Sequence, residues 1–98
     1  MKIIKRKTIK GFDCKITFHK PITLQVIYYK KEKFYIVSHK KAFNWGFGST
    51  IKEAIKEVAE CFDYSYWNGL HTRPSKANGL FEKNFNYLRE IIKKVEAI

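Results

Sequence analysis

The hydrophobic period of the chain changes near residue 50, and that change decides the fold class. Before it, β-branched and aromatic residues come in short runs at 3–9, 12–18, 22–29 and 34–39. Lys10-Gly11, Lys20-Pro21 and Lys30-Lys31-Glu32-Lys33 separate them. Short runs between tight turns predict the strands of an antiparallel sheet. After residue 50, Ile51, Ala54, Ile55, Val58, Ala59, Phe62 and Tyr66 recur at three- and four-residue spacing. Lys52, Glu53, Lys56, Glu57, Glu60 and Asp63 lie between them as a solvated face. An amphipathic helix is expected there, ending near Trp67-Asn68-Gly69-Leu70 with Gly69 as its cap. Phe81, Phe85, Leu88, Ile91, Ile92 and Val95 predict a second helix, starting near Asn78 or Gly79 and running to the end of the sequence. The expected class is α+β: a three- or four-stranded antiparallel sheet (ββββ) followed by two α-helices packed on the sheet.

A four-residue hairpin tip at 30–33 fixes which residues share a sheet face. Leu24, Val26, Tyr28, Tyr35 and Val37 fall on one side; Gln25, Ile27, Tyr29, Phe34, Ile36 and Ser38 fall on the other. Both sides are substantially apolar. If two helices cover the first, then Ile27, Tyr29, Phe34 and Ile36 form a protein-interface candidate, unless the last helix or a second copy of the chain covers them; the partners such a patch suits include single-stranded RNA or DNA, whose bases stack on aromatics beside basic residues. A homodimer through this second face is therefore one expectation.

Ninety-eight residues make a single domain, with a β-sheet half at 1–49 and a helical half at 50–98. Charge divides at the same boundary. The first half holds 12 Lys and Arg against 2 acids, and the second 8 against 7, so nearly all of the net charge of +11 belongs to the sheet. A field of one sign on one part of a fold attracts nucleic acid or an acidic protein surface. The cations expected to make phosphate contacts are Lys5, Arg6, Lys7, Lys30, Lys31, Lys33, Lys40 and Lys41. Those in the middle of the first run also suit an edge strand, where charge discourages unwanted pairing.

No apolar run approaches the roughly 18 residues of a membrane span, and the apolar segment of MKIIKRKTIK is too short for a secretory signal. A cytoplasmic protein that does not engage membranes is expected. Cys14 and Cys61 show no CxxC spacing and read as free buried thiols. His19, His39 and His71 form no i, i+4 pair, and Cys14, His19, His39 and Cys61 lack metal-ligand spacing, so no metal or other cofactor is expected. Acids are too scarce in the first half for a metal-dependent nuclease. A metal-free ribonuclease needs only a His with neighbouring cations, and His71 with Arg73 is the pair that would serve it.

Gly46-Phe47-Gly48-Ser49-Thr50 leads into the first helix. Glycines before a helix N-terminus can cradle phosphate, but Thr50 and Glu53 form a capping box: the Thr hydroxyl oxygen accepts from the N–H of residue 53, and Glu53 reaches back to the N–H of Thr50. A carboxylate there competes with an incoming anion. The same stretch carries a family resemblance. A hairpin with a charged tip followed by Gly48, Thr50, Ile51, Glu53 and Ala54 resembles the N-terminal domain of HicB-type antitoxins over residues 22–66. Ser49 stands where those domains usually carry an acid. The resemblance implies a partial ribonuclease-H-like fold and an inhibitor that binds a small ribonuclease toxin. The leading expectation from the residues themselves is a small, basic, non-catalytic protein associated with nucleic acid through the lysines of the sheet. An antitoxin-like or other protein-binding inhibitor of a nucleic-acid-processing enzyme is the alternative, and the ribonuclease is the third.

Overall fold

The computed structural model describes residues 2–42, 44–71 and 79–98. Its antiparallel sheet runs in the order β1 (Lys2–Lys10), β2 (Cys14–Tyr29), β3 (Phe34–His39) and β4 (Asn44–Gly48). A fifth strand, β5 (Ile92–Ala97), pairs with the first part of β2. Two helices, α1 (Ile51–His71) and α2 (Gly79–Ile91), complete the α+β fold.

β2 is longer than expected because it absorbs two of the anticipated runs together with Pro21. Its register explains why proline is tolerated there. Toward β1, pairing jumps from Thr8↔Thr17 to Arg6↔Ile22. On the other side, β5 pairing stops at Phe18 and β3 pairing begins at Gln25. Pro21 therefore falls where neither neighbour asks for its missing N–H. The tip at 30–33 is as expected, since Tyr29 pairs with Phe34. Lys33 closes it in the left-handed region, at φ 55°.

Two strands replace expected turn or helix. In β4, Gly46 and Gly48 face the helices while Trp45 and Phe47 face away, so the usual apolar alternation is inverted. The glycines are required by close approach. A Cβ on Gly46 would lie 2.5 Å from Ala54 O and 2.7 Å from Val58 N, and one on Gly48 would lie 2.6 Å from Ala54 N. At the C-terminal end, α2 stops at Ile91 and the chain enters β5. A register shift around Lys93 puts Ile92 opposite Phe18 and Val95 opposite Ile16, both toward the core. That three-residue spacing imitates a helix. α1 also runs past its expected end to His71, so Gly69 lies within the helix and does not cap it.

Phe18, Phe62, Ile16, Leu24, Leu88, Val37 and Val58 are fully buried between the sheet and the helices. Each contributes roughly 1.5–3 kcal/mol on removal from water. Two acids of α1 that read as solvated, Glu57 and Glu60, instead hold the backbone of other segments. Glu57 accepts from the Phe47 N–H (2.7 Å), and Glu60 accepts from the N–H groups of Phe12 (2.6 Å) and Asp13 (3.0 Å). Glu53 takes the Ser49 N–H (3.0 Å) and hydroxyl (2.6 Å), one residue before the expected Thr50 N–H, while Thr50 Oγ1 accepts from the Glu53 N–H (3.1 Å). The Ser49 hydroxyl and N–H hold the Glu53 carboxyl below its ordinary value.

Candidate nucleic-acid interface

Both helices lie on the same side of the sheet, and none of the described elements covers the other. Pairing places Ile3 and Lys5 of β1, Gln25, Ile27 and Tyr29 of β2, Phe34, Ile36 and Ser38 of β3, and Trp45 and Phe47 of β4 on that open side. The faces read from the hairpin are thus as expected. Coverage of Ile27, Tyr29, Phe34 and Ile36 by the last helix is not what occurs, because α2 ends in a strand that joins the sheet and packs beside α1.

The aromatic rings of this face form a row across three strands. Tyr29 and Phe34 stack in parallel at 5.1 Å, with 8° between their planes, and Phe34 meets Phe47 at 6.1 Å. Trp45 is 54% exposed and Phe47 50%. Exposed rings on a rigid sheet offer π-faces without further ordering. Gln25 adds a side-chain oxygen that is buried without a hydrogen-bond partner. Beyond the rings, the same face turns basic and polar: Thr8, Lys10, Lys15, Thr17 and Lys94 share it with Lys5. Lys94 lies 3.4 Å from Glu96.

The eight expected phosphate contacts divide into three groups. Lys30, Lys31 and Lys33 surround the Tyr29–Phe34 end of the aromatic row, and Lys5 lies on its face. Arg6 points to the helix side, and Lys7 occupies the register shift in β1. Lys40 and Lys41 form a 3₁₀ turn at the far end of β3, where Lys41 Nζ sits 4.7 Å over the Tyr87 ring. Trp45 and Phe47, with Lys10, Lys15 and Lys94, escaped the sequence reading. The Trp-Gly-Phe-Gly alternation was the available signal for the first two.

A pocket of about 400 Å³ gathers His19, Lys20, Thr23, His39, Tyr87 and Glu90. His39 is buried, and both its ring nitrogens are engaged: Nδ1–H donates to the Thr23 carbonyl (2.8 Å), and Nε2 accepts from the Tyr87 hydroxyl (2.7 Å). The carbonyl accepts only, which sets that tautomer. Burial, with Glu90 nearby, pushes the Tyr87 hydroxyl above its ordinary value. His39 and Tyr87 thus pin α2 to the sheet. The His71–Arg73 pair lies outside the described residues at Arg73.

Cys14, Glu60 and Asp63 bring one ligand atom each within 4.8 Å of one another. Glu60 Oε1 is already committed to the two N–H groups ahead of β2. Burial, with Glu60 and Asp63 adding to it, pushes the Cys14 thiol up to about 11. Cys14 and Glu60 thus close the β1–β2 turn, while Asp63 accepts from the Trp67 indole N–H (2.8 Å). Among the described residues no three of Cys14, His19, His39 and Cys61 gather as metal ligands, and no helix is long and apolar enough to cross a membrane. Comparison of the chain with protein-family models, with curated proteins and with solved structures gave no match.

Proposed function

We propose that the open sheet face binds single-stranded nucleic acid, with bases on the aromatic row and phosphates on the surrounding lysines. The observation that carries this reading is the continuity of Tyr29, Phe34 and Phe47 across three strands beside Lys30, Lys31 and Lys33. A base stacked on a ring gains about 1–3 kcal/mol whatever its identity. A duplex keeps its bases stacked inside and cannot use such a platform, so single strands are preferred. The tip lysines and Lys5 supply sequence-independent attraction, and the protein acts by binding without cleaving.

Fluorescence anisotropy with labelled DNA and RNA strands of about 12 nucleotides tests this, since platforms of this type cover some 4–16. With about four phosphates contacted, log K should fall with log salt at a slope near −3. Trp45→Ala and Phe47→Ala should each weaken binding by about 5- to 150-fold, the equivalent of one lost base stack. Failure of all strands to bind at about 50 mM salt refutes the reading. A dimer seen by light scattering and lost in Phe34→Lys assigns the face to a second copy of the chain instead.

A further inference from the structure

We propose that the groove between β1 and the first turns of α1 is a docking site for an acidic, extended peptide segment that adds to β1 as a further strand. This surface lies across the sheet edge from the aromatic row and goes beyond the nucleic-acid reading.

The two edges of the sheet are treated differently. β4 is closed by α1, which takes its backbone groups: Phe47 N–H goes to Glu57, and Cys61 Sγ reaches the Trp45 carbonyl at 3.4 Å. Among the described residues, β1 pairs only with β2. An edge strand turns half of its N–H and C=O groups outward. Along the nine residues of β1, the described side-chain bond to its backbone is from the Arg6 guanidinium to the neighbouring Lys5 carbonyl (2.9 Å).

Below that edge, a groove of about 590 Å³ has an apolar floor that includes Ile9 and Ile55 and is lined by Arg6, Lys10, Lys52 and Lys56. Among the described residues no Asp or Glu side chain lines it, and none of the four cations is within ion-pair distance of a carboxylate. Alternate side chains of an added strand point to one face. On this edge they would drop between Ile9 and Ile55, with carboxylates reaching the cations from β1 and α1.

Charge selects the occupant. A second copy would set Lys5, Arg6, Lys7 and Lys10 against the same row of cations, so self-pairing is opposed. Phosphates only accept hydrogen bonds, whereas a strand edge offers donors and acceptors in alternation, which another peptide backbone matches. An acid-bearing peptide satisfies both the edge and the field.

The probe is a fluorescein-labelled peptide of nine residues, the length of β1, alternating Glu and Val, titrated into the full chain. Binding is expected to weaken at least about tenfold in Lys52→Glu and in Arg6→Glu, with unchanged thermal melting because both side chains are exposed. Trp45→Ala and Phe47→Ala should leave it intact. Hydrogen exchange should slow at the amides of β1 when the peptide binds. Equal affinity for the peptide with Gln in place of Glu overturns the charge selection. Unchanged exchange along β1 overturns strand addition. Displacement of the peptide by a single-stranded oligonucleotide whose own binding falls in the same variants assigns the groove to nucleic acid and overturns the proposal.

Discussion

Replacing Gly46 by Ala tests whether the glycines before α1 serve packing or an anion. The added Cβ would meet three atoms of α1: Ala54 O at 2.5 Å, Glu57 Cβ at 2.6 Å and Val58 N at 2.7 Å. Two are main-chain atoms, so no rotamer change relieves the clash. Restoring ordinary contact requires α1 to retreat from β4 by about 1 Å, in a core packed too densely to absorb it. Ala54, Val58 and Phe62, all fully buried, lose contact with the sheet, and the Glu57 bond to Phe47 lengthens. Overpacking of this kind costs about 1–3 kcal/mol, and the entropy gained by removing a glycine returns at most about 1 kcal/mol. A net loss near 2 kcal/mol lowers the melting temperature of a domain this size by about 8–16 °C. Circular dichroism melts and urea titrations measure it, and Gly48→Ala should behave alike, since its Cβ would lie 2.6 Å from Ala54 N. If Gly46→Ala melts within about 2 °C of the parent, the packing argument is wrong; loss of phosphate binding at unchanged stability would make the glycines an anion cradle.

Two further outcomes follow from single hydrogen bonds. Tyr87→Phe strands Nε2 of the buried His39 without a donor and should cost about 1–3 kcal/mol in urea denaturation; a change under about 0.5 kcal/mol would mean that the pair does not pin α2. The Glu53 carboxyl is lowered from 4.5 by Ser49, so its stabilisation is complete above that unfolded value and is lost as pH falls through the lowered folded one. Acid titration of the melting temperature should be shallower in Glu53→Gln than in the parent, and identical profiles would show that the cap is not formed.

The legible parts of the fold were those in which local pattern and tertiary role agree. Ile51 to Tyr66 bury one face as a helix, and the tip at 30–33 sets the register that sorts Tyr29, Phe34 and Ile36 onto the open side. Illegible parts share one cause, a local signal overridden by a partner distant in sequence. Gly46 and Gly48 replace the apolar half of a strand because α1 presses against them. Ile92 and Val95 keep helical spacing because a register shift turns both toward Phe18 and Ile16. Pro21 looks like a strand break until the partners on both sides are seen to change there. The acids of α1 passed for a solvated face because nothing local says that Glu57 and Glu60 meet N–H groups of other segments. At the candidate interface, the lysines and the β2–β3 aromatics were readable from composition and alternation. Their division into three groups, and the addition of Trp45 and Phe47, required the strand order.

The partner change along β2 also orders events in time. Its second part meets β3 across four residues of turn, a closure that costs little chain entropy. Its first part meets β1 across the short turn at 11–13, but on its other side it waits for β5, since Cys14 pairs with Ala97 and Phe18 with Ile92. A contact between opposite ends of the chain is the slowest kind to form, because the intervening entropy is lost before any pairing rewards it. The hairpin end therefore assembles early, while Ile16 and Phe18 remain without their last neighbours until β5 docks. Side chains of β5 belong to the late stage of folding. Weakening them chiefly quickens unfolding, whereas weakening the Tyr29–Phe34 end slows folding itself.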